Sequence, residues 1–328
     1  MNLRRLGAGL LALSLLAAAA CGSDDDDPKT DGAAAEEPAS DDGDDAVVDD
    51  SPRTVEHAMG STEVPASPQR VVALDSSFLD ATLALGVTPV GASEAQAGEG
   101  MPPYLADRLA DVEVVGLITE PNLEAVAALQ PDLILGAKVR HEALYDQLSA
   151  IAPTVFTESS GTNWKDGLAV TADALGRTDE AEALLADYEA RAAEVGAAVG
   201  ADGKTASVVR FLLPEQIRLY GPETFSGTVL TDVGFDLGDH AWNEYSMFLV
   251  SAEQLGLADA DVVFSTYYGG DGEPGDLAAG FPAEQALWEQ VPAVAEGRAH
   301  WVADREWMLG IGLIGANLIL DDVEALAG

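Results

Sequence analysis

Cysteine occurs once in 328 residues, at Cys21, so no disulfide can form within the chain. Basic residues are scarce as well: 16 Lys and Arg stand against 57 Asp and Glu, a formal charge of −41. That balance excludes nucleic acid and anionic membrane surfaces as partners. Aromatics make up only 6%, so each Trp or Tyr beside a loop is informative. The four histidines, His57, His141, His240 and His300, are scattered, whereas a zinc or manganese site gathers His and carboxylates. Only His141 and His240 come near the cleft inferred below. Also missing are G-x-S-x-G, a P-loop, H-E-x-x-H and a dinucleotide fingerprint in its proper context. The chain therefore carries no sign of an enzyme, a resident metal or a covalent cofactor.

One apolar run opens the chain. Arg4 and Arg5 precede the fifteen residues Leu6–Ala20, and Ala18-Ala19-Ala20 lead into Cys21-Gly22. The run is short for a bilayer span and has the layout of a signal peptide over 1–20. It resembles a bacterial lipoprotein signal, which implies that Cys21 carries a lipid on the outer face of the cytoplasmic membrane. Ala18 departs from the usual leucine, and a plain secretory signal is the alternative. Gly22–Arg53 holds thirteen acids and almost nothing apolar, so 21–53 is expected to be a disordered tether extended by self-repulsion.

Beyond Thr54, strands and helices alternate, which predicts parallel sheet covered on both faces. A hairpin over Val55–Val64 is expected to turn at Gly60-Ser61. The stretch Asp179–Val199 reads as a solvent-washed helix: Thr178 stands at the cap position, and Leu184, Leu185, Tyr188, Ala192 and Val195 share one face. On either side of it the chain repeats itself. Asn122–Leu135 (NLEAVAALQPDLIL) aligns without a gap on Ser251–Phe264 (SAEQLGLADADVVF), pairing Glu124 with Glu253 and Asp132 with Asp261. The expected architecture is two α/β lobes with parallel-type central sheets, 54–177 and 201–328, bridged by a single long α-helix over 178–200. Ligands of such sheets bind at loops beyond the carboxyl ends of strands.

Two cations sit in apolar company near those loops. Arg140 follows Ala137-Lys138-Val139, and Arg210 interrupts Val208–Leu213. An arginine there needs partners: either oxygen atoms of a ligand, which suit a planar guanidinium, or a buried Asp or Glu. Trp242, Tyr267 and Trp307 fall near the same loops and are candidate walls for a large ligand. Glu124 and Glu253 each occupy a first helical turn, where the dipole favours a carboxylate; as repeats they also place two acids at matching surface positions.

Arg70–Gly91, Glu120–Leu135, Leu144–Phe156, Leu219–Gly234 and Leu287–Asp322 together resemble the periplasmic-binding-protein family for ferric siderophores and vitamin B12. The resemblance implies capture of a ferric siderophore by a monomer and delivery to an ABC permease dimer with its ATPase, the permease meeting Glu124 and Glu253. The R-H-x-x-x-Y-D-Q-L segment (Arg140, His141, Tyr145) and the W-M-x-G-I-G segment (Trp307) are similar to those of siderophore receptors from Gram-positive bacteria. The large acidic excess leans toward a neutral or cationic hydroxamate. Cobalamin or haem uptake, and a surface sensor without a permease, are the alternatives.

Overall fold

A computed structural model of the chain describes residues 51–98, 100–214, 216–271 and 282–328. The expected signal peptide, Cys21 and most of the tether lie outside the described residues, as does most of the glycine-rich stretch Tyr267–Gly280. Among the described residues no helix is long and apolar enough to cross a membrane.

The chain begins with an antiparallel hairpin, β1 (Arg53–His57) and β2 (Gly60–Val64). His57 pairs with Gly60, so the turn falls at Ala58-Met59, two residues earlier than expected. Gly60 is instead the first strand residue, at a φ of 120° that suits glycine.

The first half is built on six strands: β3 (Val71–Ala73), β4 (Gly91–Glu94), β5 (Glu113–Leu117), β6 (Glu120–Pro121), β7 (Leu133–Ala137) and β8 (Thr154–Thr157), in the order β6-β5-β4-β3-β7-β8. All neighbours are parallel except β5 and β6. Its helices are α1 (Ser76–Ala84), α2 (Leu123–Ala128), α3 (Lys138–His141), α4 (Tyr145–Ser149) and α5 (Trp164–Leu175). Between α3 and α4 the chain makes a 3-10 turn at Glu142–Leu144, so no single helix spans this stretch.

Helix α6 (Thr178–Val199) then leads to the second half. Its strands are β9 (Ala206–Leu213), β10 (Gln216–Tyr220), β11 (Met247–Val250), β12 (Val262–Tyr267) and β13 (Ala299–Trp301), in the order β11-β10-β9-β12-β13. Helices α7 (Phe225–Val233), α8 (Pro282–Trp288), α9 (Pro292–Ala295), α10 (Asp304–Trp307) and α11 (Leu313–Leu326) complete it. Only β9, β12 and β13 run parallel; β10 is antiparallel to β9 and to β11. A connection as short as that between Leu213 and Gln216 can only fold the strand back, so the sheet is mixed.

The long helix differs from the expected strut in two ways. Thr178 is its first helical residue, and the cap position belongs to Arg177, with no side-chain capping bond. Nor is it washed all round: Ala181, Tyr188, Ala192, Val195, Gly196 and Val199 are buried along one stripe, packed on α5, α7 and α11. A Cβ at Gly196 would collide with the Val233 carbonyl of α7, so the glycine allows the two helices to close. Lys165 of α5 reaches Asp232 of α7 at 3.0 Å, and the Tyr188 hydroxyl donates to the same acid at 2.8 Å. One apolar core runs from Val71 and Leu133 through this helical layer to Val208 and Phe264.

The repeat is visible in hydrogen bonds. Asp132 accepts the Gln69 and Arg70 N–H groups ahead of β3, each at 2.8 Å. Asp261 accepts the Thr205 N–H ahead of β9 at 2.8 Å. Asn122 caps α2, and Ser251 with Gln254 forms a capping box on the 3-10 helix Ala252–Ala258. Glu124 and Glu253 are therefore exposed at the start of equivalent turns.

Candidate ligand-binding site

A cavity of ≈ 440 Å³ opens between the two halves, within the range of small-molecule sites. The first half supplies loops beyond strand ends: Asp75 and Ser76 after β3, Ile118 and Thr119 after β5, Arg140 after β7, and Ser159–Thr162 after β8. The second supplies Arg210 of β9, Arg218 and Tyr220 of β10, the start of α7 at Phe225, Tyr245, Met247 and the segment from Trp307 to Ile311.

Three arginines line it, each in a different state. Asp75 is buried and caps α1 by accepting the Ser76 N–H on Oδ1 at 2.8 Å. Its Oδ2 accepts Arg140 Nε–H at 2.7 Å, and Arg140 Nη2 donates to Ser160 Oγ at 2.9 Å. Arg140 keeps 37% of its side chain exposed. Two of its five N–H groups are so used, leaving three for other acceptors among the described residues.

Arg210 is held differently. Its Nε and Nη2 donate to the two oxygens of Asp304, both at 2.6 Å, and Asp304 also accepts the Gly269 N–H at 3.1 Å. Burial works against the Arg210 cation, but hydrogen bonds and charge from Asp304, joined by Tyr220, outweigh it and hold the guanidinium above its ordinary pKa. The buried acid weighed as an alternative for Arg210 is present, and the cation lines the cavity as well.

Arg218 was not among the expected residues. It sits directly across the ladder from Arg210, and its nearest bond is a long one, 3.5 Å, to the Tyr220 hydroxyl. Among the described residues no carboxylate lies within ion-pairing distance of it. A β-bulge produces this pairing: Gln216 faces Leu213, yet Ile217 faces Phe211. A regular hairpin would set Arg218 opposite Phe211, on the other face of the sheet.

The aromatic candidates divide by face. Trp307 lines the cavity but is wholly buried, stacked 4.6 Å from Phe264 with its indole N–H given to Asp322 at 2.7 Å. It forms floor. Tyr267 shares its parity on β12 with Val263, so it packs in the outer cluster against Trp301, away from the cavity. Tyr268, one residue on, lies over the Arg210 guanidinium at 5.2 Å. Trp242 packs on His240 and Phe248 in that same outer cluster and does not line the cavity.

His141 is a positioning residue. Buried completely, it accepts the Ala137 N–H on Nδ1 at 3.1 Å and donates from Nε2 to the Ile118 carbonyl at 2.8 Å. Burial lowers its pKa, which keeps the ring neutral and suits that tautomer. It fastens the end of β7, from which α3 and Arg140 continue, to the Ile118 turn. Tyr145 stands further off, on Phe156 and the hairpin. Among the described residues no group of three or more His, Cys, Asp or Glu is arranged to hold a metal ion.

Two α/β halves meeting at a cleft lined by arginine and hydroxyl groups define a solute-binding protein. Comparison with known proteins places it: the periplasmic binding protein family model matches residues 71–300, and the chain belongs to that family. The probable siderophore-binding lipoprotein YfiY of Bacillus subtilis (strain 168) is 41% identical over 282 residues, 83% of this chain and 86% of that protein. The Fe(3+)-citrate-binding protein YfmC of the same organism is 30% identical over 275 residues, 83% and 84% of the two chains. Staphylococcus aureus SirA, solved in complex with staphyloferrin B, superposes with a TM-score of 0.72 at 31% identity, covering 83% of this chain and 97% of that one.

Proposed function

We propose that the protein captures a ferric siderophore in this cleft and hands it to an ABC permease, tethered to the membrane through a lipid on Cys21. One observation carries the reading: Arg218, a cation without a carboxylate partner among the described residues, lines the cavity beside Arg140 and the neutralised Arg210. A chelate that already fills the coordination shell of iron asks the protein for donors and cations, and guanidinium and hydroxyl groups supply both. The names of two relatives, a probable siderophore-binding lipoprotein and an Fe(3+)-citrate-binding protein, agree with it.

The total charge argued for a neutral or cationic hydroxamate. That field is screened within about 8–10 Å at ordinary salt, so the arginines of the cleft decide locally. They favour a chelate with free carboxylate oxygens over a cationic hydroxamate. Glu124 and Glu253, exposed at matching turns, are the proposed contacts for two basic pockets of the permease.

Titration of tryptophan fluorescence with ferric citrate and with ferrioxamine B, a cationic hydroxamate, tests this. The expected result is quenching by ferric citrate at concentrations roughly tenfold lower. The reverse preference restores the hydroxamate reading. Quenching by neither, with a Soret shift on adding haem, overturns the siderophore reading.

A further inference from the structure

Gly310-Ile311-Gly312-Leu313-Ile314-Gly315 has the spacing G-x-G-x-x-G and runs into α11. In nucleotide-binding turns such glycines let backbone N–H groups close on a phosphate. Here the turn follows the short helix α10 and not a strand, and its anion is built in. The cap position of α11 is Gly312, which has no side chain to offer. Asp80, from α1 in the opposite half, accepts the Ile314 N–H on Oδ1 at 2.9 Å and the Gly315 N–H on Oδ2 at 3.0 Å. The acid is completely buried.

The glycines fit this arrangement. A Cβ at Gly312 would overlap the Asp80 carboxylate, and one at Gly315 would overlap the Gly310 carbonyl. The residues leading into the capped turn, Trp307, Met308, Leu309 and Ile311, are a wall of the cleft. The apolar layer between the halves can slide; two directed hydrogen bonds from successive peptides cannot. Moving this wall away from α1 would strand a buried carboxylate and two N–H groups without partners.

We infer that Asp80 is a positioning residue for ligand: its carboxylate fills the anion site at the start of α11 and so ties the cavity wall of the second half to the first. The role in binding rests on the cleft reading above; the cap itself does not. Three proteins, unchanged, Asp80→Ala and Asp80→Asn, are compared by amide hydrogen exchange and by titration with ferric citrate. In Asp80→Ala the Ile314 and Gly315 amides exchange roughly tenfold faster and ferric citrate affinity falls by a similar factor. Excess formate, a carboxylate small enough for the emptied position, reverses part of both changes. Asp80→Asn, with one acceptor oxygen left, lies between.

Unchanged exchange at those two amides, or no response to formate, overturns the cap. Faster exchange with affinity intact overturns the positioning role. If the unchanged protein does not bind ferric citrate, the functional reading fails, while exchange and its formate response still decide the cap.

Discussion

Arg218 lies directly opposite Arg210 in the β9–β10 ladder, and Asp304 neutralises only Arg210. Like charges facing each other across a ladder destabilise it by a few tenths of a kcal/mol. The two cations therefore do different work. Arg210 is locked to a buried acid and shapes the floor, whereas Arg218 remains available to an incoming anion.

Substitution separates these roles. Arg218→Gln is expected to leave the melting temperature unchanged or slightly raised and to weaken ferric citrate binding roughly tenfold, since a charge-assisted hydrogen bond contributes about 1.5–3 kcal/mol. Arg210→Gln leaves Asp304 buried without its counter-charge, and should cost about 3–5 kcal/mol of stability in denaturant titration. Equal losses of stability in the two variants would contradict the division.

What the sequence made legible follows from where its signals are unambiguous. Helix α5 stops at Gly176 and strand β9 at the end of the apolar run Val208–Leu213, limits that the sequence marks plainly. The pairing of Asp132 with Asp261 was legible from the repeat, and both acids pin the start of a central strand. Faces were not. In a strand buried on both sides, such as Val262–Phe264, every residue is apolar, so nothing in the pattern tells Tyr267 from Tyr268. Arg218 was hidden by the bulge: alternation groups it with Tyr220, but a one-residue shift decides which face that is. Strand β11, a half-exposed edge of four residues, gave too short an apolar run to separate from loop.

Glu124 and Glu253 test delivery. Both are exposed, and the Ser251 hydroxyl with the Glu253 N–H holds the Glu253 carboxyl below its usual pKa. A double alanine variant is expected to keep its fold and its ferric citrate affinity while losing uptake in cells supplied with that chelate. Uptake at the unchanged rate would remove these acids from the permease contact.

His141 should show itself in solution. Burial first, and Arg140 with it, lowers the ring pKa against the opposing effects of the Ile118 carbonyl and Asp75. The native ring therefore takes up a proton less readily than the unfolded one, and its stabilising contribution, present above the ordinary 6.5, is lost as pH falls. Nitrogen chemical shifts of a neutral ring protonated at Nε2, unchanged down to pH values where free histidine is charged, are expected. His141→Phe should cost a few kcal/mol, because the Ala137 N–H and the Ile118 carbonyl lose their partner.

Asp80 shifts in the other direction. Burial pushes its carboxyl up to about 7, while the Ile314, Gly315 and Leu313 N–H groups and Arg108 favour the ionised form. Tyr104, itself raised by burial and by the charges of Asp80 and Glu306, also faces it. Between the ordinary 3.8 and the native value of about 7, the folded chain keeps a proton that the unfolded chain has released. The contribution of this group is therefore complete below 3.8 and lost as pH rises through about 7. Asp80→Asn holds the position neutral at every pH, and comparing the two proteins cancels the opposite contribution of His141. The unchanged protein should melt progressively lower than Asp80→Asn as pH rises from about 4 to 8, yet bind ferric citrate more tightly at the upper end. An acid that lowers stability where it is ionised, and improves binding there, acts through the cleft wall it holds; parallel melting curves across that range would mean that burial does not control its proton.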